Sequence, residues 1–254
     1  RELTNDEVVA ELHAGGYDVL GISSTTVAFH RSLELAQAVK AARPDTIVVI
    51  GGPHVSSQPD HPLQHDAFDY AVRNEGEETL DELLQVIAAQ GDPGGVRGLI
   101  YRRNGEVVVN PCRPYIADLD SLPFPAYDMI PDMRIYSPPP FNYKLLPVAN
   151  IITSRGCPNA CTFCENTTFG RQFRMRSAES IVAEIEFLMA QHGAREISFV
   201  DDTFTVRRSR IYEIFEQNRE AFLERFDAHS ARIMARHGFT LLAPWETTTP
   251  RRRE

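Results

Sequence analysis

Three of the four cysteines in this 254-residue chain, Cys157, Cys161 and Cys164, fall inside one short stretch, Ser154-Arg155-Gly156-Cys157-Pro158-Asn159-Ala160-Cys161-Thr162-Phe163-Cys164. Thiolates are the soft ligands that iron–sulfur clusters select, and Cys-x3-Cys-x2-Cys spacing lets a single loop reach three corners of a cube. A 4Fe-4S cube has four irons, so three local cysteines leave one iron open to a small chelating molecule, much as an open position distinguishes catalytic from structural zinc. Two alternatives stay beside this reading. A disulfide framework does not suit four cysteines with three crowded together. Structural zinc wants four protein ligands, usually in paired Cys-x2-Cys units, and one such unit is present.

The elements that must carry the loop follow from the apolar pattern. Residues 148–153 read as a strand, so the cysteines leave its carboxyl end, where (β/α) barrels place their chemistry. Ser177 caps a predicted helix with Ile181, Ile185, Leu188 and Met189 on one face, closed by Gly193. A second strand over 196–200 ends in Asp201-Asp202-Thr203-Phe204. Residues 207–236 read as one or two charged helices, and the tail from Pro244 as disordered.

With its aromatic residue before the third cysteine, Cys157-x3-Cys161-x-Phe163-Cys164 resembles the signature of the radical S-adenosylmethionine (SAM) enzymes. The resemblance implies a cluster held by these cysteines, SAM chelated at the open iron, and a reductive cleavage to a 5'-deoxyadenosyl radical. It places Phe163 beside the adenine, with ordinary packing as the other reading. It places Asp201 and Asp202 near the SAM ammonium, Asp202 preferred, the other reading being that one of them caps the next helix. It also implies a reducing electron donor such as flavodoxin or ferredoxin, and a small-molecule substrate.

The first hundred residues alternate strand and helix, the sign of a parallel sheet covered on both faces. A helix capped within residues 5–7, a strand over 19–23, a helix ending before Pro44 and a strand over 46–50 come in order. A helix over 77–89 follows, then a hairpin turned by Asn104-Gly105. Ligands on such sheets bind beyond the carboxyl ends of the strands. Ser23-Ser24-Thr25-Thr26, Gly51-Gly52-Pro53-His54 and Asn74-Glu75-Gly76 are the turns expected there.

Those turns resemble the cobalamin-binding domain that precedes the radical domain in one large subgroup. By that resemblance Ser23, Thr25, Gly51, Gly52 and His54 line the groove for the nucleotide tail of cobalamin, with Glu75 and Gly76 as further candidates. His54 also reads as a turn histidine bonded to backbone. The implied fold class is α/β: a Rossmann-like doubly wound parallel sheet of the cobalamin-binding type, then the start of a radical SAM (β/α) partial barrel. The divisions are 1–109, lacking the fold's usual first strand; a proline-rich linker over 110–147; and 148–254, the first part of the radical domain. The chain reads as cut short at both ends. The expected activity is radical SAM chemistry with cobalamin, methyl transfer or related C–H chemistry. The alternative is an iron–sulfur and cobalamin binder without turnover.

A formal charge of −9 argues against a general nucleic-acid binder. The arginines at 171, 174, 176 and at 207, 208, 210 read as solvated faces. No apolar run approaches the roughly 18 residues of a membrane span, and reduced thiols without an export signal point to the cytoplasm. Nine of the 17 prolines lie in 110–147, which bars that stretch from central strands and helix interiors. Cys112, within it, is assigned no role.

Overall fold

Short β-branched runs ending in glycine, serine or a polar turn build the first sheet. The structure, a computed structural model, describes residues 3–130, 132–136 and 143–217. Its first part runs α1 (Asn5–Ala14), β1 (Val19–Ser23), α2 (Phe29–Ala42), β2 (Ile47–Gly51), α3 (Pro53–Ser57), β3 (Tyr70–Val72), α4 (Glu77–Ala88), β4 (Leu99–Arg103) and β5 (Glu106–Val109). Helix α1 starts one residue earlier than its sequence cap suggested. Thr4 is the N-cap, and its side chain and that of Glu7 each accept the other's backbone N–H, a capping box.

The five strands lie in sequential order. β1, β2 and β3 run parallel, with Ser23 opposite Gly51 and Ile50 opposite Ala71, so their carboxyl ends open side by side. β4 and β5 add an antiparallel hairpin. Asn104 and Gly105 both take positive φ there (54° and 84°), as a two-residue hairpin turn with the strands' own twist requires. Strand β3 has only three residues, too few to display a period, so the sequence implied it without delimiting it.

Period-two alternation sends successive side chains to opposite faces. Val48 and Ile50 pack with Phe29, Ala36 and Val39 of α2, whereas Val49 and Val72 pack with Leu83, Leu80 and Ile87 of α4. Both faces of the sheet are therefore covered. Each fully buried Leu or Ile in these layers contributes roughly 1.5–3 kcal/mol of transfer free energy.

The second part holds β6 (Val148–Ile151), β7 (Ser154–Arg155), β8 (Arg174–Met175), α5 (Ala178–His192), β9 (Glu196–Phe199) and α6 (Arg208–Gln217). β6 and β9 pair in parallel with α5 between them in sequence, and β7 and β8 form a separate antiparallel ladder. Ser177 caps α5 by accepting the Ser180 N–H at 3.1 Å, and Gly193 closes it in the left-handed conformation.

Among its described residues the proline-rich stretch is anchored at intervals. Ile116, Leu119, Tyr127 and Met133 are all buried, the last two in the core made by α5 and β6. The Pro138–Pro140 run, the helical reading beyond residue 217 and the tail lie outside the described residues. Among the described residues no helix is long and apolar enough to cross a membrane.

Candidate functional site

The parallel strand ends and the cysteine-bearing part of the chain face each other across a cleft of ≈ 790 Å³. Ser23, Gly51, Gly52 and Gly76 line one wall; Arg155, Glu165, Asn166, Phe169 and Asp202 line the other. Two turns meet closely on the first wall. The Ser24 N–H donates to the Gly51 carbonyl and the His54 N–H to the Ser24 carbonyl, each at 3.0 Å. Gly52 sits between them at φ 92°, ψ −171°, and a Cβ there would lie 2.8 Å from Ser23 Oγ and 2.9 Å from Ser24 N. Only glycine fits both the conformation and the space.

Two residues expected at this groove are placed otherwise. Thr25 is exposed at the N-cap of a 3-10 turn and is not part of the cleft wall. His54 is buried at the start of α3, its ring tilted against that of Phe29 with centroids 4.2 Å apart, Nδ1 at 3.2 Å from Thr26 Oγ1 and Nε2 at 2.9 Å from His61 Nδ1. Its ring therefore meets side chains of the core, and neither the groove nor the backbone-bonded turn reading describes it. Burial and the neighbouring His61 hold its pKa below the ordinary imidazole value.

Glu75 borders the cleft, yet its carboxylate is engaged inside the protein. It accepts the Ile116 N–H at 2.7 Å, Arg155 Nη1 at 2.9 Å and Arg174 Nη1 at 2.8 Å. Its side chain is only 4% exposed, leaving its backbone and Gly76 to face a ligand.

The cysteine loop connects β7 to β8. Gly156 (φ 81°) and Gly170 (φ 71°) form its neck, where the Cys157 N–H donates to the Gly170 carbonyl at 3.1 Å. A Cβ on Gly156 would lie 2.3 Å from the Gln172 carbonyl oxygen. All four cysteines are free thiols; Cys161 and Cys164 are exposed and Cys157 half-buried. Thr203 Oγ1 donates to Cys157 Sγ at 3.1 Å, which with Asn159 lowers that thiol's pKa and favours thiolate, the ligating form. Among the described residues no three His, Cys, Asp or Glu side chains are gathered about a single-ion position. Three thiols on one loop, one of them biased toward thiolate, are a donor set that fits an iron–sulfur cluster. Phe163 is 92% exposed beside them, without the packing its alternative reading required.

The acidic pair at the end of β9 splits. Asp201 turns inward: its carboxylate accepts the N–H groups of Thr153 at 2.6 Å and Ser154 at 3.0 Å, and pairs with Arg210 at 3.6 Å. With no side-chain exposure it stitches β9 to the strand leading into the cysteine loop, and it does not reach the cleft. Asp202 is exposed on the cleft wall, near enough to Cys157 for its charge to oppose thiolate formation.

The sequence reading missed the arginines. Arg174 and Arg210 are 5% and 2% exposed, so the clusters taken for solvated faces hold buried structural cations. Arg155 bridges Glu75 and Glu77 across the cleft floor, and its position directly before Gly156-Cys157 was the available signal. A trio of buried Tyr127 and Glu184 with half-buried Arg176 ties the proline-rich stretch to α5. Tyr127 donates to Glu184 at 2.6 Å, and burial with that neighbouring carboxylate pushes the phenol pKa up. Nothing in spacing predicted that trio.

Comparison with known proteins gives two family matches, the B12 binding domain over residues 2–84 and the Radical SAM superfamily over residues 151–241. An uncharacterized methyltransferase of Pyrococcus horikoshii is 34% identical over 84% of this chain and 46% of that protein. An anaerobic magnesium-protoporphyrin IX monomethyl ester cyclase of Rubrivivax gelatinosus is 29% identical over 85% of this chain and 39% of that protein. The chain thus spans less than half the length of these relatives. In structure, it superposes with TM-score 0.68 and 22% identity on the cobalamin-dependent S-adenosylmethionine radical enzyme OxsB, solved with aqua-cobalamin and S-adenosylmethionine, over 84% of this chain and 30% of that one.

Proposed function

From a chain that belongs to the radical SAM superfamily and carries a B12 binding domain ahead of its radical SAM segment, we propose a cobalamin-dependent radical SAM enzyme acting on a small molecule. The observation that supports this reading best is the shared cleft: the glycine-lined strand ends expected to take cobalamin and residues Glu165, Asn166, Thr168 and Phe169, which directly follow the cysteines in their loop, open onto one space. When bound, the cluster, SAM and cobalamin supply a 5'-deoxyadenosyl radical and a methyl carrier.

The protein's own residues have separable tasks in this proposal. Cys157, Cys161 and Cys164 hold the cluster, and Thr203 stabilises the first thiolate by donating a hydrogen bond to it. Asp202 presents a carboxylate where an ammonium can meet it, since Asp201 is occupied by Thr153, Ser154 and Arg210. Ser23, Gly51, Gly52 and Gly76 let a large flat ligand approach backbone. Phe163 is free to stack on a planar base.

The proposed division is a cobalamin unit over 1–109, a connecting stretch over 110–147 and a radical unit from 148 onward. Free thiols suit a reducing compartment, so the proposed location is the cytoplasm, with a flavodoxin or ferredoxin as electron donor. Methyl transfer is the proposed outcome.

Anaerobic reconstitution tests the reading. The wild-type chain should take up about four irons with matching sulfide, and Cys161→Ala should abolish that uptake while Cys112→Ala leaves it intact. The chain should also retain a corrinoid through gel filtration and release 5'-deoxyadenosine from SAM under strong reduction. Zinc in place of iron and sulfide, or iron uptake indifferent to Cys161, would overturn the proposal.

A further inference from the structure

We infer that Glu75 and Asn74 are positioning residues: the turn after β3 fixes the cysteine loop against the cleft, so that a ligand lodged on that turn is felt at the thiols. The first half of this statement stands on geometry alone; the second rests on the function proposed above.

The loop over residues 156–173 is held at its neck by a ladder of only two residue pairs, Ser154 with Met175 and Arg155 with Arg174. Like charges directly opposite on a sheet repel, and Arg155 and Arg174 are such a pair. The Glu75 carboxylate lies against both, at 2.9 and 2.8 Å, and turns the repulsion into a shared clasp. The two strands meet because the other half of the molecule supplies the counter-charge. Arg174 also donates to the Phe169 carbonyl at 2.9 Å, carrying the clasp into the loop.

Asn74, in the left-handed conformation at φ 64°, holds the loop at a second point. Its Nδ2 donates to the Thr167 carbonyl and to the Tyr115 hydroxyl, both at 2.9 Å, and that hydroxyl donates to the same carbonyl. The Tyr115 ring lies under the Arg174 guanidinium at 4.9 Å and fills the space that a Cβ on Gly170 would need; the Gly170 carbonyl receives the Cys157 N–H. Asn74, Glu75 and Gly76 are also cleft residues. One turn therefore touches both the groove and the base of the cysteine loop, and hydrogen bonds in a network of this kind strengthen one another.

The test starts with the cofactor-free full chain. Wild type, Glu75→Gln and Asn74→Ala are compared by hydrogen exchange over residues 156–173 and by the alkylation rate of Cys157 relative to exposed Cys112. Positioning predicts several-fold faster loop exchange and Cys157 labelling in both variants, with exchange at residues 47–51 and 181–188 unchanged. A merely stabilising role would raise exchange everywhere. Unchanged loop behaviour in a folded variant overturns the inference, and if Glu75→Gln does not fold, Asn74→Ala, which leaves the ion cluster intact, decides. Cyanocobalamin is then added to matched corrinoid occupancy in each protein: it should slow loop exchange in wild type and not in Asn74→Ala. Equal slowing in both, or none in a corrinoid-loaded wild type, refutes the coupling. Failure to retain corrinoid refutes the proposed function instead, while the cofactor-free comparison still judges the positioning role.

Discussion

Gly52→Ala is the sharpest probe of the groove, because conformation and contact both forbid a side chain there. At φ 92°, ψ −171° a residue with a Cβ sits in a region populated almost only by glycine, at a cost of about 1–3 kcal/mol. The new methyl would also lie 2.8 Å from Ser23 Oγ and 2.9 and 3.0 Å from the backbone N and O of Ser24. The hydroxyl can rotate away, but the backbone is tied by hydrogen bonds to Gly51 and His54, so forcing it aside adds roughly 1–3 kcal/mol of overpacking. Together that is about 2–6 kcal/mol, which at about 2–4 °C per kcal/mol for a chain of this size lowers the melting temperature by roughly 4–24 °C. Thermal unfolding by circular dichroism measures it, and corrinoid retention on gel filtration measures the groove. Gly21→Ala is the control: it lines the same cleft with nothing within 4 Å of its added Cβ. It should leave the melting temperature unchanged while weakening corrinoid retention. If Gly52→Ala melts with wild type, the close approach of the two turns is not a constraint and the reasoning fails.

The acidic pair at the end of β9 should separate cleanly. Asp201→Asn strands Arg210 without its counter-charge and should cost about 3–5 kcal/mol in urea unfolding, whereas Asp202→Asn should stay within about 0.5 kcal/mol and weaken SAM binding by equilibrium dialysis. Equal losses of stability would contradict their different burial. Tyr127→Phe removes the donor to buried Glu184 and should cost about 1–3 kcal/mol, read from the urea midpoint; an unchanged midpoint would mean Arg176 alone satisfies that carboxylate. Acidification should weaken the first sheet through His54. Its folded pKa lies below the unfolded value of about 6.5, so the folded state disfavours the proton that the unfolded chain accepts. The stability is whole above about pH 6.5 and is lost as pH falls below it. A urea midpoint that declines from pH 7 to 5 as steeply in His54→Gln as in wild type would refute the assignment.

Composition and spacing by themselves determined which residue types stand together and which elements carry them. Cysteines at 157, 161 and 164 follow a strand, glycines at 51 and 52 end another, and Asn104-Gly105 turns a hairpin, because thiol spacing, positive φ and apolar periodicity are local properties written in neighbouring residues. Partner choice across long separations was decided only by the tertiary structure. Nothing near Glu75 in sequence announces Arg155 or Arg174, and a histidine after a Gly-Gly-Pro turn reads the same whether it faces a groove or, as His54 does, the Phe29 ring. The same holds for Asp201 and Asp202, chemically identical neighbours just past β9, one of which meets a buried arginine while the other faces the cleft. Charge and burial are set by what the chain brings back from far away, and folding supplies that information.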